Sequence, residues 1–187
     1  IIGLSHFMVI LIFFSIPTGL GYYIEVKNYG TGLTTGFMIS LVTLGSFLIA
    51  IVFHRVSEFF KHNTIYIGLI LITTGMFGIG LAEQLFTVAV SLALVGFGLG
   101  ILSTMVYLFT SLESSKNDVT LSLAIVSCFS FFGQFTSPIL NQFIQNLFNT
   151  HSVESTFYIS GYFGIFALII VLLNHIIKVY TPKRQSN

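Results

Sequence analysis

Gln84 to Leu112 reads QLFTVAVSLALVGFGLGILSTMVYLFTSL, without one Asp, Glu, Lys or Arg. A helix needs roughly 20 apolar residues to cross about 30 Å of hydrocarbon, and this stretch exceeds that. Backbone polar groups cannot go unpaired in lipid, so the stretch reads as a membrane-spanning helix. A barrel would show strands of about ten residues with alternating polarity, whereas Phe7 to Phe14 is solidly apolar. Five more charge-free runs flank the first: 1–24, 28–54, 62–82, 119–153 and 155–177.

The composition agrees. Lys and Arg number 7 and Asp and Glu 6 in 187 residues, so charged residues are 7% of the chain. Soluble domains carry about 25%. Hydrophobic residues make up 55%, Phe alone 21 positions, and mean hydropathy is +0.96. Such a chain cannot build a polar skin around a core, which excludes a free cytosolic enzyme and a disordered tail. A net charge of +1 without a basic run excludes a nucleic-acid binder. The lone Cys128 lies mid-helix, so there is no disulfide framework.

The reading is an all-α polytopic membrane domain over residues 1–187, with helices near 3–24, 33–53, 64–82, 86–111, 119–146 and 156–178 and a tail at 179–187. Cations set the orientation. With the first helix running outward, Arg55, Lys61, Lys116, Lys178, Lys183 and Arg184 share one side and only Lys27 takes the other. Both termini are then cytoplasmic. The chain opens on Ile1 rather than Met, and the expectation is a piece of a longer protein. Residues 1–82 and 83–187 each hold three helices. Three is odd, so the second triplet enters from the opposite side, the inverted-repeat pattern of secondary transporters.

Within the helices, Pro17 and Pro138 each remove a backbone donor, for packing geometry or for gating; Thr18 and Gln134 are placed to re-satisfy freed carbonyls. Gly96 and Gly100 have the spacing that lets helices approach closely. Gly96, Gly98 and Gly100 form no nucleotide loop, because no strand precedes them. His6 is the one ionisable candidate, near the cytoplasmic end of the first helix, and Glu83 reads as a solvated loop carboxylate. Ser127, Ser130, Gln134 and Asn141 share one face of the fifth helix, with Ser137 beside it. A polar stripe on a lipid-embedded helix faces protein or a wet cavity. Met105 and Tyr107 on the fourth helix are further cavity candidates. Tyr22 and Tyr23 read as an interface belt. There is no metal-ligand cluster, no Gly-x-Ser-x-Gly and no carboxylate pair, and no filter loop, charged ring or voltage-sensor series. No cofactor is indicated.

Three passages then form a pattern. FFSIPTGLGYYIEVKNYGTGLTTG precedes the second helix; FHRVSEFFKHN (Phe53–Asn63) places Arg55, Glu58 and Lys61 in the second loop; GQFTSPILNQF (Gly133–Phe143) combines Gly133 with Pro138. Their order resembles helices seven to twelve of a major facilitator superfamily transporter, most like the bacterial drug:proton antiporter branch. LESSKNDVTLS (Leu112–Ser122) resembles the family's turn between helices ten and eleven. The second passage stands where the family has Gly-x-x-x-Asp-Arg-x-Gly-Arg, without its glycines. The third resembles Gly-x-x-x-Gly-Pro, with Ser137 replacing a glycine.

The resemblance implies half of a major facilitator fold and secondary active transport by alternating access, with efflux of small molecules across the cell membrane. It implies that the first and fourth helices line a central cavity, the second and fifth meet a missing N-terminal six-helix half, and the third and sixth face lipid. Cavity candidates are then Gln134, Ser130, Asn141, Tyr107, Met105 and Tyr22; packing or gating positions are Pro17, Pro138, Gly96, Gly100 and Gly133. Partners are the bilayer, the N-terminal half, a small-molecule substrate and possible protons. A six-helix membrane enzyme and a non-transporting membrane subunit stay open as alternatives.

Overall fold

Helices form where the charge-free runs lie. They are α1 (Ile2–Val26), α2 (Gly32–Phe60), α3 (Thr64–Gly80), α4 (Leu85–Glu113), α5 (Val119–Phe148) and α6 (Ser155–Tyr180), with a 3₁₀ turn at Lys61–Asn63. The computed structural model describes residues 2–180, with side chains except at His62 and 175–180. Lys183 and Arg184 of the expected tail lie outside the described residues. The connections are short. Asn28 (φ 56°) and Asn149 (φ 54°) close α1 and α5 in the left-handed region that Asn tolerates. Gly30 sits at φ 154°, where a Cβ would collide with the Thr34 side chain.

Two boundaries differ from the sequence reading. α2 runs seven residues past 53, so Arg55 and Glu58 ride on its last turns and not in a loop. No Gly or Pro interrupts Phe53–Phe60, and the helix stops only where Lys61 turns to φ 46°. α3 ends at Gly80, short of 82. Its 17 residues span about 26 Å at about 1.5 Å each. The five other helices are long and apolar enough to cross a membrane on those grounds alone.

The packing repeats itself under exchange of the two triplets. α4 packs against α2 and α3, and α1 packs against α5 and α6. α1 touches α4 and α3 touches α6 across the pseudo-axis. The first helix of each triplet therefore inserts between the second and third helices of the other. The result is a front layer in the order α2, α4, α1, α5, with α3 and α6 behind it.

Small residues permit this insertion. Beside Gly96 a Cβ would meet the Val42 carbonyl at 2.5 Å, and beside Gly100 the Ser46 carbonyl at 2.7 Å. Gly98 stands equally close to Gly68 O on α3, at 2.6 Å, and Gly133 to Phe7 O on α1, at 2.8 Å. Lipid tails are as apolar as the side chains, so close packing and not water exclusion holds such helices together. The common core runs through Ile12, Ile16, Leu20, Ile72, Met76, Ile79, Leu92 and Phe157, all fully buried. α3 was expected to face lipid. Only Ile70 and Thr74 on it are exposed, because α4 and α6 cover the rest. α6 does keep an outward apolar face, including Tyr162, Phe166 and Ile170.

Candidate functional site

The front layer carries polar groups that face one another across its helices. On α4, Ser103 and Thr104 face Thr43 and Ser46 of α2 across a groove of about 360 Å³. Ser46 Oγ donates to Val42 O and Gly96 O, both at 2.9 Å, which pins the two helices where Gly45, Gly96 and Gly100 bring their backbones together. Sequence reading passed over these four hydroxyls. The signal was present: Thr43 and Ser46 are one turn apart, as are Ser103 and Tyr107.

On α5 the buried face is Val126, Ser130, Gly133, Ser137 and Asn141, turned toward α1. Ser137 thus belongs to the stripe, and Gln134 is half-buried at its edge. Ser130 Oγ donates to its own helix at Val126 O, 3.0 Å. Ser137 Oγ and Asn141 Oδ1 are buried and have no hydrogen-bond partner among the described residues. Such groups mark places where water or a ligand completes the bonding. Met105 is half-buried, Tyr107 is 40% exposed and Tyr22 is 65% exposed at the far end of α1.

Both prolines lie inside continuous helices. Thr18 Oγ1 donates to Phe14 O at 2.8 Å, one turn back beside Pro17. Glu58 pairs with His54 across one exposed turn at 3.4 Å, next to Arg55 and ahead of Lys61. His6 is buried, its ring edge-on to Tyr107 with centroids 5.3 Å apart, and its Nδ1 has no partner among the described residues.

The end of the bundle that holds the α1–α2 turn is fastened by tyrosines. A helix C-terminus leaves carbonyls without intrahelical donors. At the end of α3, Tyr23 Oη donates to Ile79 O (2.8 Å) and Ala82 O (3.2 Å), Tyr158 Oη to Gly80 O (2.9 Å) and Tyr29 Oη to Ala82 O (3.2 Å). Tyr23 is therefore fully buried and not an interface-belt residue; only Tyr22 is exposed. Lys27 pairs with Glu154 beside this cluster. The mutual hydrogen bond raises the Lys27 amine above its ordinary range and lowers the Glu154 carboxyl below its own.

A profile of the Major Facilitator Superfamily matches residues 2–186, nearly the whole chain. The chain belongs to the Major Facilitator Superfamily. No curated protein matches it. Membership makes it a multi-pass membrane protein of a secondary transporter family, and the two inverted triplets are half of the major facilitator fold.

Proposed function

We propose that this domain is the C-terminal half of a twelve-helix secondary active transporter of the cell membrane. It exports small, amphiphilic molecules by alternating access, on the pattern of the bacterial drug:proton antiporters. One observation carries the reading. The front layer places hydroxyl and aromatic groups of α1 and α4, and the Gln134 amide of α5, beside apolar faces of α2 and α5 that have no partner among the described residues. On α2 these faces include Phe37, Phe47 and Ile51; on α5 they include Phe131, Phe135 and Ile139. Faces of this size on symmetry-related helices fit contact with a second six-helix half, which rocks against this one about a midplane site.

Gln134, Tyr107, Met105 and Tyr22 then line the passage, joined by Thr43, Ser103 and Thr104. Ser130 and Asn141 lie on the α5 face beside it, turned toward α1. Pro17 and Pro138 sit on the two helices that move together. Both termini of the segment face the cytoplasm, as the Lys and Arg bias favours. The test is efflux of a fluorescent cation by the full-length protein in vesicles with an imposed proton gradient. Export that collapses with the gradient supports the reading. Gradient-independent retention equal to empty vesicles overturns it.

A further inference from the structure

His6 lies deeper than its place in the sequence implies. The register of α1 against α5 follows from two contacts: Gly3 lies against Phe129, and Gly133 against the Phe7 carbonyl. The Phe7–Phe132 ring contact agrees. His6 is then level with Phe132. From Val119, where α5 starts, thirteen residues or about 20 Å precede that level. The Ser160–Ser15 hydrogen bond and the Gly19–Thr156 approach set an antiparallel register that puts His6 level with Ile169. α6 continues eleven residues beyond it, about 16 Å. α4 continues six residues beyond Tyr107, about 9 Å. All three neighbours extend past the imidazole, so it is enclosed and not at the surface.

Its neighbours on the facing helices are uncharged. α5 turns Ser130 and Gly133 to α1 near this level, with Gln134 half-buried at their edge, and has no Asp, Glu, Lys, Arg or His along its length; its one thiol, Cys128, is exposed. α6 carries half-buried Leu168 at this level; His175 and Lys178 follow toward its end, and Tyr158 and Tyr162 lie toward its other end. α4 offers Tyr107, and Glu113 stands at its end. α2 meets α1 at the far end, where Gly21 faces Thr35. Among the described residues an imidazolium here would have no anionic partner. A buried ionisable side chain on a membrane helix is costly and marks ion or proton pathways.

We propose that His6 is a proton-binding site of this domain, neutral while its ring packs against Tyr107 and protonated when α1 and α4 part. Opening admits water, and a hydronium ion gives its proton to the ring, leaving an imidazolium and a water molecule. Closing returns that proton to water as hydronium, and no other reactant takes part. Tyr107, 40% exposed and edge-on to the imidazole, is the covering group. The inference rests on α1 and α4 lining the passage, and it supplies the coupling site that a proton-driven exporter needs.

The test is magnetic resonance of the full-length protein in phosphatidylcholine vesicles, with ¹⁵N-histidine and ¹³C-tyrosine labels, from about pH 8 to about pH 5. His6→Gln and Tyr107→Phe identify the two signals. The expected result is that His6 passes from neutral to imidazolium and that the Tyr107 signal shifts in step. In His6→Gln the Tyr107 signal stays fixed with pH. A His6 ring that stays neutral throughout, or one that titrates while Tyr107 does not move, overturns the proposal. The decisive signals come from the unsubstituted protein, so misfolding of a variant does not blur the result. Neither readout needs transport. A protein that titrates in this way and moves no substrate refutes the transport reading and leaves the site standing.

Discussion

Tyr23 shows how one side chain joins three levels of structure. Its hydroxyl bonds the carbonyls of Ile79 in the last turn of α3 and of Ala82 just beyond it, and its ring stacks edge-on against Phe157 of α6 at 5.3 Å. Tyr23→Phe keeps the ring and loses a hydrogen bond shared between two carbonyls, worth about 1 kcal/mol. Thermal unfolding in detergent should fall accordingly, while exposed Tyr22→Phe leaves it unchanged; equal effects would remove the fastening role. Beside it, the Lys27–Glu154 pair predicts a pH window. The Glu154 carboxyl is held below its ordinary 4.5, so its contribution is present above that value and fades as pH falls through the lowered one. The Lys27 amine is held above 10.5, so its contribution is present below that value and fades as pH rises through the raised one. Glu154→Gln should flatten the acid limb of a stability–pH curve. At Gln134, replacement by Leu should change substrate range or rate more than replacement of exposed Thr87 by Ala. Ser160 makes a poor comparison, because its hydroxyl bonds Ser15 at 2.8 Å.

Between elements, the α2–α4 seam is the most exacting joint. A Cβ at Gly96 meets the Val42 backbone, and one at Gly100 meets both the Ile49 side chain and the Ser46 backbone, so even Gly96→Ala or Gly100→Ala should cost about 1–3 kcal/mol by overpacking. Gly36, also on α2, has open space around it. Gly36→Ala should be neutral or stabilise by up to about 1 kcal/mol through helix propensity. Comparing melting temperatures of the three variants checks this, and a harmless Gly96→Ala would mean the seam is looser than described. The sequence made the helices legible because charge is so scarce that each loop carries its own marker. It made the seam legible at Gly96 and Gly100 because only small residues repay that spacing. It could not show which partner those glycines meet, since the Val42 and Ser46 carbonyls look like any others. It misplaced the α2 end because charges at Arg55 and Glu58 end an apolar run without ending a helix. It read Tyr23 and Tyr22 alike because adjacent tyrosines differ only in which side of α1 they leave.

The whole molecule is a front of four helices braced by two. The inversion of the second triplet follows from an odd helix count and was legible in the sequence, whereas the exchange of α1 and α4 between triplets was not. The division of burial was not. α1 and α4 are half buried, α2 and α5 far less, although all four are similarly apolar, because hydrophobicity does not distinguish a neighbouring helix from lipid. The central claim is that the front layer faces a water-filled passage and α6 faces hydrocarbon. In the full-length protein in vesicles, Cys128→Ser together with serine at any other cysteine gives a background without thiols, on which single cysteines replace Thr104, Gln134, Phe166 or Ile170. The measurement is the rate of labelling by a membrane-impermeant maleimide. The account predicts labelling at 104 and 134 and none at 166 and 170. Labelling at the α6 positions with protection at 104 and 134 would contradict it.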